Sequence, residues 1–214
     1  MSKKGILAVV SGFSGAGKGT LMKELLKRYE KQYALSISAT TRQPRTGEEH
    51  GREYFFVSAA DFEAMIEKEA LIEYACYVGN YYGTPRSYVE EQMAAGKDVI
   101  LEIEIQGALK VKEKFPETLL LFVTPPDAKE LERRLRGRGT ETDEVIRDRL
   151  KRAAEEAEYM HRYDYLLIND DLGTCVREMH ELIQSQHQKT ANSLDFIEEM
   201  KQELRTLQPA HSAI

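Results

Sequence analysis

Gly12-Phe13-Ser14-Gly15-Ala16-Gly17-Lys18-Gly19 is the stretch that decides the fold. It follows the apolar run Ile6-Leu7-Ala8-Val9-Val10, which reads as a buried strand. It precedes an amphipathic run with Leu21, Met22, Leu25, Leu26 and Tyr29 on one helical face. Strand, glycine-rich loop and helix in that order make a phosphate-binding loop; without that context the glycines would mark an ordinary turn. Glycines let backbone N–H groups turn inward around phosphate oxygens, and the helix N-terminus adds positive potential. Lys18 supplies a mobile cation for the β- and γ-phosphates. Ser14, Gly15, Ala16, Gly17, Lys18, Gly19 and Thr20 are therefore the expected nucleoside triphosphate contacts.

The residue after the lysine is Gly19, where Ser or Thr commonly offers a hydroxyl to magnesium. The ending Gly-Lys-Gly-Thr is similar to that of many nucleoside monophosphate kinases. Magnesium is then expected to be held mainly through phosphates and water.

With 214 residues the chain is long enough for one large α/β domain with a sizeable core. A formal net charge of −6 argues against nucleic-acid binding. The arginines nevertheless gather in two places. Arg42, Arg45 and Arg52 form one group, and Arg133, Arg134, Arg136, Arg138, Arg147, Arg149 and Arg152 the other. Such concentration in an acidic chain points to small-anion sites. Cys76 and Cys175, the two cysteines, lie among apolar neighbours and are expected to be buried and reduced. The five histidines show no metal-ligand spacing, and no apolar segment reaches membrane-spanning length. A cytoplasmic protein with no membrane contact is expected.

Apolar runs at 6–10, 34–38, 98–105, 119–124 and 164–168 alternate with helical patterns at 19–32, 106–115, 127–137, 142–160 and 173–188. This alternation predicts a parallel five-stranded sheet with right-handed crossovers. The unbroken run Leu119–Val123 fits a strand covered on both faces. The core is assigned to 1–36, 95–130 and 159–189. The segment 37–94 is too long for a plain crossover and reads as an inserted subdomain. Within it, 53–57 reads as a strand and 58–69 as a helix capped by Ser58 and Asp61. Residues 81–85 read as a turn opening a further helical element, with Thr84 as N-cap and Pro85 at its first position. Residues 131–158, with Arg136-Gly137-Arg138-Gly139-Thr140, read as a mobile lid bringing arginines over the transferring phosphoryl group. In 190–214, Leu194, Ile197, Met200, Leu204 and Leu207 form a narrow helical stripe. That predicts a C-terminal helical extension packed either on the core or on a second copy, so a homo-oligomer is one expectation.

Across residues 5–188 the chain resembles the guanylate kinase family. The P-loop is shared widely, but Ser38-Ala39-Thr40-Thr41-Arg42-Gln43-Pro44-Arg45, Gly79-Asn80-Tyr81-Tyr82-Gly83-Thr84, Arg138-Gly139-Thr140-Glu141-Thr142 and Asn169-Asp170 are more specific. Glu102-Ile103-Glu104 matches an acidic strand end where many members carry two aspartates.

The resemblance implies a P-loop kinase core with an inserted GMP-binding subdomain and a lid, phosphorylating GMP with ATP and magnesium, and accepting dGMP. It implies that Arg42, Arg45, Tyr54 and Tyr82 grip the monophosphate, arginine's planar fork suiting phosphate. Ser38, Glu73, Thr84 and Glu104 would read guanine, because a carboxylate can accept from N1–H and the 2-amino group, donors adenine lacks there. Asn169 falls on the ATP side, Glu102 near magnesium or its water, and Lys18, Arg42, Arg134, Arg138 and Arg149 on the transferring phosphate. The remaining lid arginines, Arg152 among them, are expected to be solvated. Two rival readings remain at this point. One is a kinase acting on another small phosphate acceptor, for which the base readers would have no base. The other is a kinase-like scaffold for phosphopeptides, against which the complete P-loop argues.

Overall fold

The P-loop strand occupies the centre of the main sheet. The structure, a computed structural model, describes residues 4–137 and 142–207. In chain order its first elements are β1 (Leu7–Gly12), α1 (Lys18–Arg28), β2 (Tyr33–Leu35), β3 (Ala39–Thr40), β4 (Phe55–Phe56) and α2 (Ala59–Glu67). There follow β5 (Leu71–Tyr77), β6 (Asn80–Pro85), α3 (Arg86–Ala94), β7 (Asp98–Glu102), α4 (Ile105–Lys114) and β8 (Leu119–Thr124). The chain continues through α5 (Ala128–Arg136), α6 (Asp143–Ala157), β9 (Tyr165–Ile168), α7 (Leu172–Gln186) and α8 (Leu194–Leu207).

The five-stranded sheet runs β2-β7-β1-β8-β9 with every pair parallel. Ala8, Val9 and Val10 of β1 and Leu120–Val123 of β8 are fully buried, as expected for strands covered by helices on both faces. Val10 pairs with Glu102 and Gly12 with Val123, so the C-terminal ends of β7, β1 and β8 lie side by side. Ligands of open α/β sheets bind at such strand ends. Gly12 permits the close approach there: a Cβ on it would stand 2.1 Å from the Val123 carbonyl oxygen.

A second sheet, β4-β3-β6-β5, has its own small core of Ala39, Phe62 and Leu71. Ser58 caps α2 by accepting from the Asp61 backbone N–H, and Asp127 caps α5 by accepting from Glu130. Several elements differ from the sequence reading. β2 stops at Leu35, after which the chain leaves the main sheet for β3. β7 stops at Glu102, and Ile103-Glu104 turn into α4. Residues 81–85 are strand rather than turn, and Pro85, not Thr84, stands at the N-cap position of α3. The hairpin β5–β6 turns at Val78-Gly79, both at positive φ (48° and 73°). A valine is an unusual residue for that turn, which explains why the hairpin was not legible. Cys175 is buried, whereas Cys76 on β5 is exposed. No described residue of α8 is buried, so its apolar stripe does not pack on this chain's core.

Candidate active site

The loop between β1 and α1 is shaped by glycines with left-handed backbone, Gly15 (φ 94°) and Gly17 (φ 89°). Side chains would meet neighbours as well as strain: a Cβ on Gly17 would lie 2.6 Å from Asn169 Nδ2. Asn169 is buried after β9 and donates from Nδ2 to the Ala16 carbonyl at 2.8 Å, bracing the loop from behind. Arg134 on α5 reaches the same place, donating to the Asn169 carbonyl (2.8 Å) and the Ala16 carbonyl (3.4 Å). Glu130 steadies Arg134 at 2.7 Å. Lys18 Nζ donates to the Gly12 carbonyl at 2.7 Å and the Phe13 carbonyl at 3.2 Å. Gly19 and Thr20 are exposed in the first turn of α1, with open space around Gly19.

Arg149 on α6 donates to Ser14 Oγ at 2.7 Å, connecting the second arginine group to the P-loop. Arg138 lies outside the described residues. At the end of β7, Glu102 keeps contact with solvent. The surrounding protein still raises its pKa by desolvation, and the charge of Lys18 opposes the rise.

A second basic site forms on the smaller sheet. Arg42 leaves β3, its guanidinium over the rings of Tyr54 (5.3 Å) and Phe56 (5.8 Å). The rings of Tyr54 and Tyr82 meet edge to face at 6.0 Å. Glu48, which the sequence reading missed, orders this group. Its Oε1 accepts from Arg42 Nη2 at 2.9 Å and its Oε2 from the Arg45 backbone N–H at 2.8 Å. The hydrogen bond from Arg42, and then that from Arg45, hold Glu48 below the usual carboxylate range. Arg42, Arg45, Tyr54 and Tyr82 thus share one neighbourhood. The only sequence signal for Glu48 was an acid three residues after Arg45.

Two of the base-reading candidates, Glu73 and Thr84, meet across the β5–β6 pair. The β5–β6 register shifts between Leu71 and Tyr74, so a bulge falls at Ile72-Glu73. Leu71, Ile72 and Glu73 are consequently buried in succession, which a regular strand facing solvent on one side would not allow. The bulge aims Glu73 inward: its Oε1 accepts from Thr84 Oγ1 at 2.8 Å, and its Oε2 faces Gly107 of α4. Burial raises the Glu73 pKa, with the Thr84 hydroxyl and the charge of Lys110 opposing. A buried carboxylate with a single hydroxyl partner is costly unless a ligand's donors complete it. Ser38, half-buried, precedes β3, and its carbonyl accepts from the Phe55 backbone N–H.

Glu104 precedes α4 and bonds to Arg152 of α6 at 2.5 Å. Arg152 is therefore ion-paired, contrary to the expectation of a solvated charge, and Arg133 and Arg136 also pair with neighbouring acids. The segment 102–107 joins the two sites, since it ends the strand beside the P-loop strand and faces Glu73 at Gly107.

The family model for guanylate kinase matches residues 4–186. The chain is 52% identical to the guanylate kinase of Halalkalibacterium halodurans over 187 residues, covering 87% of this chain and 91% of that protein. It is 45% identical to that of Listeria monocytogenes over 205 residues, covering 96% of this chain and all of the relative. A solved guanylate kinase from Anaplasma phagocytophilum superposes with a TM-score of 0.68 at 30% identity, covering 89% of this chain and 90% of that one. On this match the chain belongs to the guanylate kinase family.

Proposed function

We propose that the two anion sites divide the substrates, with ATP on the P-loop and GMP on the smaller sheet. The reaction is ATP + GMP → ADP + GDP. The observation that carries the reading is Glu73, a buried carboxylate held by Thr84 beside a distinct arginine–tyrosine group. That carboxylate accepts from guanine N1–H and the 2-amino group. Ser38, Thr84 and Glu104 complete the base edge.

Arg42 and Arg45 bind the GMP phosphate, and Tyr54 and Tyr82 add phenol hydroxyls. Phosphoryl transfer needs in-line placement and charge neutralisation rather than covalent help. The acceptor is already an oxyanion, so no general base is required. Lys18 turns from the loop carbonyls to the β- and γ-phosphates, while Arg134 and Arg149 neutralise charge developing during transfer. The residues at the P-loop suit magnesium held mainly by nucleotide oxygens and water. Gly19 offers no ligand, and no group of three or more His, Cys, Asp or Glu able to hold a metal occurs among the described residues. In this reading Glu102 would orient a water on the ion. When bound, the ion neutralises phosphate charge.

None of the assigned residues serves the ribose 2′-hydroxyl, so dGMP is a second acceptor. None of the described helices is long and apolar enough to cross a membrane. With two free thiols, the reading places the enzyme in the cytoplasm beside its substrates. The stripe on α8 is read as a contact with a second copy in antiparallel pairing. Its first half carries Asp195, Glu198 and Glu199, and its second half carries Lys201 and Arg205 with one acid, Glu203. ADP production screened against GMP, dGMP, IMP, AMP, CMP and UMP tests the main reading; activity with AMP or a pyrimidine nucleotide equal to that with GMP refutes it.

A further inference from the structure

Arg152 has no part in the reaction just described, yet its guanidinium touches two parts of the molecule. It sits on α6, about one turn beyond Arg149. Nη2 donates to Glu104 Oε2 at 2.5 Å, and Nε donates to Glu156 Oε1 at 2.9 Å. The Glu156 side chain is only 13% exposed, so it anchors the guanidinium to its own helix. Tyr77, beside the hairpin turn, lies within electrostatic reach. Glu104 is 48 residues away in sequence and belongs to the segment between β7 and α4.

We propose that Arg152 is a positioning residue for guanine recognition: it fixes the Glu104 carboxylate through Oε2 and leaves Oε1 to accept from the base. The proposal rests on the reading that Glu104 faces guanine. A glutamate has one more rotatable bond than the aspartate common at this position in the family, and an unfixed glutamate loses rotamer freedom when it binds the base. A guanidinium anchored on a helix takes that loss before GMP arrives. Preorganisation of this kind appears in affinity, by cutting the ordering cost of binding. It does not appear in stability, because an exposed ion pair contributes little to folding. The bond also ties a base-reading carboxylate to the helix that carries Arg149 to the P-loop, so one α6 serves both substrates.

The test is steady-state kinetics of Arg152→Ala, Arg152→Lys, Glu104→Ala and the double variant, at saturating ATP with GMP varied. Arg152→Ala raises the GMP KM about three- to tenfold, the order expected for ordering one long side chain. At saturating GMP its kcat changes by less than about twofold, its ATP KM is unchanged, and its melting temperature stays within about 2 °C of the parent. Arg152→Lys recovers part of the lost affinity, because an ammonium keeps the charge but not the two-armed geometry. In the Glu104→Ala background, Arg152→Ala has no further effect on the GMP KM. If Glu104→Ala raises the GMP KM while Arg152→Ala leaves it unchanged or lowers it, the positioning role is wrong and the base-reading assignment stands. If Glu104→Ala leaves the GMP KM unchanged, the base-reading assignment fails and the positioning role fails with it. Equal effects of Arg152→Ala with and without Glu104 also overturn the proposal.

Discussion

Replacing Glu73 by Gln separates recognition of guanine from maintenance of the fold. The carboxylate is buried, with Oε1 held by the Thr84 hydroxyl at 2.8 Å and Oε2 against Gly107. Glutamine fits the same volume. Its amide oxygen keeps the Thr84 bond and so turns the NH₂ toward the base, where guanine presents donors. One acceptor is lost and a donor faces a donor. A bidentate base contact is worth about 1–3 kcal/mol of discrimination. The variant therefore loses roughly one to two powers of ten in kcat/KM for GMP. It loses much less for IMP, which has N1–H but no 2-amino group, so the GMP-to-IMP ratio falls. ATP binding is unchanged, because Glu73 lies on the smaller sheet rather than at the P-loop.

Stability moves the other way. Burial is the main cause of the raised Glu73 pKa. The folded-state pKa then exceeds the unfolded one, so folding is favoured by the protonated form. This favourable contribution is full below the unfolded carboxylate pKa and is lost as pH rises through the folded one. Glutamine has no such dependence. The variant gains thermal stability relative to the parent as pH rises from 5 to 8. Acid also weakens GMP binding more in the parent than in the variant, because the protonated carboxyl is a poorer acceptor. Measuring kcat/KM for GMP, IMP and AMP, with melting temperatures at both pH values, covers both halves. An unchanged GMP-to-IMP ratio in a folded variant would mean that Glu73 does not read the base.

Lys18→Ala removes the loop cation and should lower kcat about 10²–10³-fold with the fold intact; near-parental turnover in a folded variant would refute its catalytic role. Val78→Asn relieves a β-branched residue at φ 48° in an exposed turn. The gain should be about 1 kcal/mol, seen as a melting temperature roughly 2–4 °C higher; no rise would show that the turn carries no strain. Ending the chain after Asn192 removes α8, whose residues are not buried. GMP kinase activity should persist, and sedimentation at several concentrations should show self-association only in the full chain; monomers in both would remove the second-copy contact.

The P-loop was legible because its requirements are local. Gly15 and Gly17 need left-handed backbone, Lys18 needs a helix start, and an apolar strand must precede them, all within neighbouring residues. The unbroken apolar run at Leu119–Val123 likewise set a doubly covered strand, and the β/α alternation set a parallel sheet. Candidate substrate contacts came from short specific segments, but the sequence could not say which side chains meet. The bulge that turns Glu73 inward depends on pairing with β6, and its hairpin closes through a Val-Gly turn that propensity would not choose. Glu48 became visible only when its carboxylate was found on Arg42, and Arg152 looked like one solvated arginine among several until α6 brought it to Glu104. The stripe on α8 was plain from its spacing, yet only the tertiary structure left it uncovered by the core. Backbone conformation and periodicity are written within a few turns of chain, whereas the partner of a charge or an apolar face depends on where distant segments pack.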